Sequence, residues 1–266
     1  MINRDYQALP AISSHRLKEL LDSCSLAEWH RQFMAAPHPS IELPSAAIRL
    51  GTLVHCLALT PHWLDQEFLV ADYERRSQAG KARYAALVAT GLTAIKPAEL
   101  ERARAMVTAL QAYPDARQLL RGGQKEKIVL QPRASGLWPL KGRLDLYHER
   151  QHLIVELKTI HSLRAIATAM DRYRYPLSAA LYQHLVKGQQ VIFIFVQTQE
   201  PHDIAVFELP RWQLQEGREQ WQLALARFDE CWTTNHWPDA PLDLIPNLNP
   251  PRSSHRLEIP VGELAL

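Results

Sequence analysis

The sequence predicts an α/β (α+β) fold in which a central mixed sheet of about five strands is flanked by helices and preceded by a mostly helical region. Residues 1–120 show helical periodicity with capping residues, and residues 121–209 contain short β-prone segments. Helix-length stretches interrupt and follow those segments. Strands that are joined by a helical crossover, with helices before and after them, form a layered α and β structure.

The helical region opens at Ser13-Ser14-His15, a suitable N-cap for a helix whose periodic leucines lead into residues 26–34. Further helices are predicted from about residue 44 to 59, from 77 to 88 and from 97 to 113. Thr60-Pro61 ends the first of these, because proline cannot continue a helix.

The β-prone segments are residues 127–131, 140–147, 153–157, 191–196 and 204–209. Residues 162–187 separate the third from the fourth and are long enough for one or two helices. An amphipathic helix is expected after Pro210. We therefore expect one domain over residues 1–238, with a mostly helical part (1–120) and a part that holds the sheet and its flanking helices (121–238).

The remaining residues, 239–266, form a predicted Pro-rich extended tail, since six of the 18 prolines lie between Pro238 and the last residue. The tail is expected either to lie along a neighbouring subunit or to be disordered.

Composition excludes several classes of protein. The longest apolar runs are too short to span a bilayer, and the first ten residues lack a signal pattern, so we expect a soluble cytoplasmic protein without a membrane partner. Three widely spaced cysteines argue against a disulfide framework, a zinc ribbon or an iron–sulfur cluster. A net charge of +2 is too small to identify a nucleic-acid partner by itself.

Two acidic residues lie in the predicted hairpin formed by residues 140–147 and 153–157. Asp145 and Glu156 are nearly equidistant from a turn centred near residue 150, so they should face each other across the hairpin. Because side chains alternate along a strand, Lys158 should project from the same face as Glu156.

Opposed carboxylates repel each other unless a cation or a shared proton lies between them, so this arrangement predicts a metal site. Oxygen ligands with no nearby cysteine favour Mg²⁺, with Mn²⁺ as the other candidate. Such a site suits phosphodiester hydrolysis, with Lys158 positioning the attacking water. The alternative is an ordinary salt-bridge network on a solvated face, because the D-x(10)-E-x-K spacing is short.

Asp145 followed by Glu156-Leu157-Lys158 resembles the PD-(D/E)XK nuclease signature, and further segments resemble the RecE-like exonucleases, the exonuclease VIII C-terminal domain group. These segments are Ile12-Ser13-Ser14-His15-Arg16-Leu17, Gly51-Thr52-Leu53-Val54-His55, Lys141-Gly142-Arg143-Leu144-Asp145, Tyr173-Arg174-Tyr175, Ala179-Ala180-Leu181-Tyr182 and Trp237-Pro238. The resemblance extends from about residue 12 to 238 and implies a restriction-endonuclease-like core.

The resemblance also implies roles for residues of the hairpin. Asp145 and Glu156 would ligate the metal, and the backbone carbonyl of Leu157 would add a ligand. Lys158 would act at the attacking water.

Two further ligands are implied outside the hairpin. His55 matches a family histidine near the metal, and Gly51, one helical turn earlier, would leave room for its close approach. Glu126 matches an acidic position on the preceding strand that would hold a second metal or its water. The alternatives are a half-buried surface histidine and a solvated acid between two lysines.

One departure from the family pattern concerns Ser178, which stands where the family commonly has Gln before Ala-Ala. A hydroxyl cannot make the paired contacts of an amide, so positioning of the DNA strand could differ, or Gln183 could substitute from another face. Glu156 also stands where close relatives often have Asp.

Two segments are predicted to contact DNA. Basic residues around Gly80 suit a DNA backbone, and cations interleaved with tyrosines could stack on an unpaired end base. Their alternatives are a solvated loop and core tyrosines. The predicted DNA-binding residues are Arg75, Arg76, Lys81, Arg83, Arg172, Tyr173, Arg174, Tyr175, Ser178 and Tyr182.

The expected function is Mg²⁺-dependent exonuclease action on double-stranded DNA ends, 5′ to 3′, which leaves 3′ single-stranded tails for recombination. The resemblance implies a homo-oligomeric ring, a trimer or tetramer, of phage or prophage type, with a single-strand annealing protein as partner. The alternatives are another PD-(D/E)XK nuclease, of the RecB-like or CRISPR-adaptation type without an iron–sulfur cluster, and a non-catalytic DNA-binding protein.

Overall fold

The structure is a computed structural model that describes residues 3–34, 44–72 and 76–240. In these ranges no helix is both long enough and apolar enough to cross a membrane. The predicted tail from residue 241 onward and the predicted DNA-binding residue Arg75 lie outside the described residues.

A five-stranded mixed sheet forms the centre of the described structure, as the sequence predicts. Its strands, in chain order, are β3 (Gln124–Gln131), β4 (Leu140–His148), β5 (Leu153–Ile160), β6 (Gln190–Gln197) and β7 (Ile204–Glu208). They are adjacent in that same order, and only β5 and β6 are parallel. The helical crossover between β5 and β6 produces this parallel pair.

Helices cover both faces of the sheet. The helices in the described residues are α1 (Asn3–Ala8), α2 (Ser14–Asp22), α3 (Leu26–Met34), α4 (Ala46–Leu59), α5 (Leu64–Glu67), α6 (Gln78–Ala89), α7 (Pro97–Ala112), α8 (Pro114–Leu119), α9 (Ile166–Arg172), α10 (Tyr175–Val186) and α11 (Arg211–Thr234). Two short strands that the periodicity does not predict, β1 (Phe68–Val70) and β2 (Thr93–Ile95), form a separate parallel pair.

The sheet separates two layers of core. On strand β6, Phe193 and Phe195 pack into one layer, with residues of α2, α3, α10 and α11. Ile194 and Val196 pack into the other layer, with residues of α4, α7 and α8. Because β6 is buried on both faces, its sequence contains an uninterrupted apolar run.

Helix α10 is held close to both the sheet and α11 by two glycines. A Cβ at Gly217 of α11 would lie 2.2 Å from the carbonyl oxygen of Pro176, and a Cβ at Gly142 of β4 would lie 2.6 Å from Leu185 and 3.1 Å from Tyr182. Only glycine permits these approaches, because real Cβ contacts are longer. The position of Tyr182 over the sheet depends on them.

The Trp237-Pro238 segment packs against α3. The amide of Ala27 donates to the Pro238 carbonyl at 3.1 Å, and that of Leu26 donates to the Ala240 carbonyl at 3.3 Å. The Trp237 ring stacks on His30 with centroids 4.1 Å apart. The chain after α11 thus satisfies free amides at the start of α3.

Candidate active site

The hairpin of β4 and β5 has the predicted register, but its ladder stops short of the acidic pair. Leu146 pairs with Val155, and in this register the next opposed residues are Asp145 and Glu156, which the ladder does not include. Asp145 instead accepts a hydrogen bond from the Leu157 amide through Oδ2 at 2.8 Å. The strands therefore open at the acids, and a carboxylate replaces backbone pairing there.

Lys158 lies between the two acids of the hairpin. Its ammonium donates to Asp145 Oδ2 at 3.1 Å and to Glu156 Oε2 at 2.8 Å. Glu156 is buried, and Lys158 is 19% exposed. Alternation along β5 places Glu156 and Lys158 on one face, as the sequence predicts, while Val155 and Leu157 pack into the opposite core layer.

Strand β3, which pairs with β4, is distorted next to Asp145. Lys125 pairs with Leu146 and Lys127 with Leu144, but Glu126 between them has a φ of +51°, in the left-handed region. A non-glycine residue seldom adopts this conformation, and its cost has to be met by local interactions. The Glu126 carboxylate, which is buried, accepts a close hydrogen bond from Arg143 Nε.

Helix α4 contributes His55, which lies beside Asp145. His55 Nδ1 lies 3.4 Å from Asp145 Oδ1. Gly51, one turn earlier, lets the helix approach β5, since a Cβ there would lie only 3.2 Å from the Thr159 hydroxyl. Gly51 thus permits close approach of α4 to β5, whereas the sequence predicted that it makes room for the imidazole of His55.

His55, Glu126 and Asp145 form a compact group in which one possible ligand atom of each lies within 4.8 Å of the others. All three border an open cavity of about 290 Å³, whose further walls include Tyr6 of α1 and Arg143. Glu126 is therefore one of the three residues whose ligand atoms lie closest together. Glu156 is not in that group and is connected to Asp145 by the hydrogen bonds of Lys158.

The chemistry of these groups fits a hard divalent cation. Glu156 Oε1 is buried and has no hydrogen-bond partner among the described residues, so a cation near it would remove a desolvation cost. The thiol of Cys56 also borders the cavity, but burial raises its pKa to about 12, so it stays protonated and is a poor metal ligand. Carboxylates and one imidazole remain, a donor set suited to Mg²⁺ or Mn²⁺.

The backbone of Leu157 also faces this region. The N–H and C=O of one strand residue point toward the same edge, and the Leu157 N–H already contacts Asp145. Its carbonyl therefore faces the opening between β4 and β5, and its role as a backbone ligand stays a prediction.

The acids of the site have opposite pKa shifts. Burial would raise the pKa of Asp145, but Lys158, His55 and the Leu157 amide hold it well below its usual range. Burial and the Asp145 charge raise the pKa of Glu156 to about 7, and the same two causes raise the pKa of Glu126.

Both cationic groups of the site have raised pKa values. Burial would lower the pKa of Lys158, but Asp145 and Glu156 raise it above the usual value. For His55 the Asp145 carboxylate likewise outweighs burial and raises the pKa. Lys158 is thus a permanent cation and a hydrogen-bond donor, and cannot serve as a general base near neutral pH.

The tyrosine-rich segment is only partly at the site. The Tyr175 ring lies 5.8 Å from Lys158 Nζ and 6.0 Å from the Phe193 ring. Tyr173 is exposed and lies 5.7 Å from the Arg172 guanidinium, whereas Arg174 pairs with Asp22 at 2.8 Å. Arg172 and Tyr173 are therefore exposed in the described part of the chain, whereas Arg174 is engaged in an internal ion pair.

Tyr182 and Ser178 lie on the same helix, α10. Tyr182 borders the cavity, and its hydroxyl is 3.5 Å from the Ser14 hydroxyl. Ser178 is half-buried. Gln183 donates to the Gln189 carbonyl and accepts from Arg218, so its amide is engaged away from the cavity and does not replace the missing glutamine.

The predicted basic segment before and within α6 is separate from the cavity. Arg76, Lys81 and Arg83 are exposed, and none of the three borders the cavity. They remain predicted DNA contacts on an outer surface.

Sequence reasoning missed two lysines. Lys141, buried on β4, donates to the carbonyls of Tyr6, Gln7 and Leu9 at 3.0, 3.2 and 2.8 Å and so holds α1 over the cavity. Lys18 of α2 lies 5.6 Å from the Tyr175 ring. The K-x-R-x-D pattern could have indicated Lys141, but no local pattern indicates Lys18.

Comparisons with known proteins agree with this geometry. Residues 14–241 match a family described as a PDDEXK-like domain of unknown function (DUF3799). No curated protein matches the sequence.

Solved structures add a likeness of fold. A putative exonuclease from Eubacterium rectale is similar over 98% of this chain and 96% of its own, with 16% identity and a TM-score of 0.63. A phage related exonuclease from Haemophilus somnus 129PT matches 88% of this chain and 100% of its own with 12% identity, but its TM-score of 0.38 is too low for a structural argument.

The predicted mixed sheet and PD-(D/E)XK recognition are thus confirmed, and the fold shared with a putative exonuclease agrees with the predicted RecE-like resemblance. Because the family match spans most of the sequence, the chain belongs to the PDDEXK-like family.

Proposed function

We propose that this protein is a Mg²⁺-dependent exonuclease that hydrolyses phosphodiester bonds at double-stranded DNA ends. The observation that carries the proposal is Lys158, whose ammonium lies within 3.1 Å of both Asp145 and Glu156. Of these three residues, Asp145 borders the cavity. A salt-bridge network on a solvated face would leave these groups exposed, whereas here they are largely buried. Mn²⁺ is the second candidate metal.

Different residues of the chain would have different roles in such a reaction. Asp145, His55, Glu126, Glu156 and the Leu157 carbonyl are the proposed ligands. A bound divalent ion would lower the pKa of a water and neutralise charge on the phosphate.

The side chains that are not ligands orient those that are and supply positive charge. Lys158, held protonated by its two acidic neighbours, donates a hydrogen bond to the attacking water or to a phosphate oxygen as negative charge develops. The Leu157 amide keeps the Asp145 carboxylate oriented, and Arg143 does the same for Glu126.

The finer features of the proposal are supported by the family resemblance. We propose 5′ to 3′ degradation, which leaves 3′ tails for a single-strand annealing partner, and assembly into a ring of three or four copies. The structure contributes an exposed basic segment, Arg76, Lys81 and Arg83, and the exposed Arg172 and Tyr173 beside the site as candidate DNA contacts. None of these residues suggests base-specific reading, which suits an exonuclease.

The test is digestion of linear duplex, closed circular duplex and duplexes labelled at either the 5′ or the 3′ end, with Mg²⁺, Mn²⁺ or EDTA. We expect metal-dependent release of mononucleotides from the 5′ ends of linear DNA by the wild type. Asp145→Ala and Lys158→Ala should be inactive. Lys127→Ala is the control, because Lys127 also lies over a tyrosine ring, 4.6 Å from Tyr147, and does not border the cavity.

Cleavage of closed circles would contradict exonuclease action, and full activity of both inactivating variants would contradict the site itself. DNA binding without cleavage in any metal would favour the non-catalytic alternative. Light scattering of the purified protein tests the proposed ring independently.

A further inference from the structure

Two lysine ammonium groups lie close to one aromatic ring beside the candidate active site. Lys158 Nζ is 5.8 Å from the Tyr175 ring centroid, and Lys18 Nζ, from helix α2, is 5.6 Å from the same centroid. A tyrosine face attracts a cation only modestly. The ring therefore cannot offset the placement of two positive charges in one half-buried region.

The charges of these two lysines are compensated very differently. Lys158 has two carboxylate partners, Asp145 and Glu156. Lys18 is half-buried and forms no hydrogen bond or ion pair with any residue in the described ranges. The charges of Lys158 and Arg174 oppose its ammonium form. Those of Glu156 and Asp22 favour it without outweighing burial. Burial, together with the charge of Lys158, lowers the pKa of Lys18 to about 7.

An anion beside Lys18 would remove this imbalance. A nearby negative charge favours the ammonium form, and lysine is a common point-charge ligand of phosphate. The anion that the proposed function brings to this place is DNA, whose phosphates follow one another along the strand. Because Lys158 is committed to the two acids and the reacting phosphate, Lys18 is available for a neighbouring phosphate.

We propose that Lys18 binds a DNA phosphate adjacent to the scissile one, either the terminal phosphate of the strand or an internal phosphate. The inference rests on the proposed function. Lys18 is a positioning residue in this assignment, because it fixes where the strand lies without contacting the reacting atoms.

The test compares Lys18→Met, Lys18→Arg and Arg16→Met with the wild type. Arg16 is a matched control, since it lies on the same helix, 5.5 Å from the Phe33 ring, but its charge is paired with Glu19 at 2.9 Å. Binding of a labelled linear duplex is measured in EDTA at several salt concentrations. Loss of one phosphate contact should weaken binding about tenfold and reduce the slope of log K against log salt by about 0.9.

We expect both changes in Lys18→Met, near-wild-type values in Lys18→Arg, and the wild-type slope in Arg16→Met. Duplexes with a single neutral methylphosphonate identify the phosphate, because the substitution that weakens wild-type binding should have no further effect on Lys18→Met. Duplexes with a 5′-phosphate or a 5′-hydroxyl distinguish a terminal phosphate from an internal one.

The role of Lys18 is overturned if Lys18→Met keeps the wild-type salt slope and responds to every methylphosphonate as the wild type does. If Lys18→Met does not fold, acetylation of the lysine amines of the wild type replaces it as the test. We expect bound DNA to protect Lys18 from acetylation. Equal labelling of Lys18 with and without DNA would refute its role. A wild type that neither binds nor cleaves linear duplex refutes the proposed function. A wild type that cleaves while Lys18 tests negative refutes only the assignment of Lys18.

Discussion

The two flanks of Asp145 are assembled in different ways. On the lysine flank, Glu156 and Lys158 come from one strand, two residues apart, and their charges are balanced by direct contacts of 2.8 and 3.1 Å. On the cavity flank, His55 comes from helix α4 and Glu126 from a left-handed position of β3, and both border open space. The lysine flank is formed by residues of one strand, whereas the cavity flank is formed by tertiary contacts between separate elements.

This difference indicates a division of labour. The lysine flank holds a permanent cation in a preorganised position, which is what stabilisation of developing charge requires. The cavity flank offers ligand atoms within 4.8 Å of one another beside a space that a metal and a phosphate can enter. We therefore expect loss of the Lys158 ammonium on the first flank to reduce the rate of the chemical step, and loss of a ligand on the second flank to weaken metal affinity.

The largest effect is expected from Lys158→Met. The change removes the donor aimed at the reacting group, so kcat should fall about 1000-fold, while the Mg²⁺ concentration for half-maximal rate should change little. Single-turnover cleavage of linear duplex over a Mg²⁺ titration measures both quantities. A variant that regains the wild-type rate at high Mg²⁺ would show that Lys158 serves metal binding and would break the proposed division.

The opposite pattern is expected from Glu126→Gln. Loss of one carboxylate ligand should raise the Mg²⁺ concentration for half-maximal rate by about tenfold or more and leave the rate at saturation close to normal. Calorimetric titration with Mn²⁺ measures the affinity without any need for activity. Glu149→Gln, an exposed change in the hairpin turn, is the control, and unchanged affinity in Glu126→Gln would remove Glu126 from the ligand set.

The pH dependence of stability tests Glu156, whose Oε1 has no hydrogen-bond partner among the described residues. The pKa of Glu156 is raised to about 7, so without metal the folded protein holds this proton between about pH 4.5 and 7 while the unfolded chain releases it. Stability should therefore fall as pH rises through that window, by at most about 3 kcal/mol, and level off above it. Raised pKa values of Glu126 and His55 act in the same direction.

Bound Mg²⁺ should reduce this loss, because the ion favours the ionised carboxylates. Urea unfolding at pH 5 and pH 7.5, with EDTA or with Mg²⁺, measures the difference in the free energy of unfolding. Glu156→Gln should show a flatter dependence in EDTA. An identical dependence in the variant, or no response of the wild type to Mg²⁺, would contradict the proposed metal site.

The lysine flank could be predicted from the sequence because it depends on local rules. A two-residue period puts Glu156 and Lys158 on one face, and the length of the turn sets the register that opposes Asp145 to Glu156. The five strands and the N-cap at Ser13, whose hydroxyl accepts the Arg16 amide, follow from equally local patterns.

The cavity flank depends on contacts that no local pattern reports. The left-handed φ of Glu126 is maintained by its carboxylate contact with Arg143 on the neighbouring strand, and its sequence context, two flanking lysines, suggests a solvated residue instead. Lys18 likewise reaches the site only because α2 packs beside α10. Patterns of period two or 3.6 predict which face a residue occupies, but not which distant element it meets.

The smallest effect on activity is expected from Lys141→Met. This residue contacts α1, which forms part of the cavity wall, and belongs to neither flank of Asp145. The change removes three hydrogen bonds to carbonyls at the end of α1, so α1 should fray and Tyr6 should leave the cavity wall. We expect a rise of a few-fold in KM for DNA with kcat almost unchanged, and faster amide exchange confined to residues 3–12. Arg16→Met, which removes a nearby surface cation without loosening α1, provides the baseline for both measurements. If kcat instead falls as far as in Lys158→Met while KM stays constant, α1 positions the reacting groups themselves, and the cavity wall would have to be counted with the lysine flank.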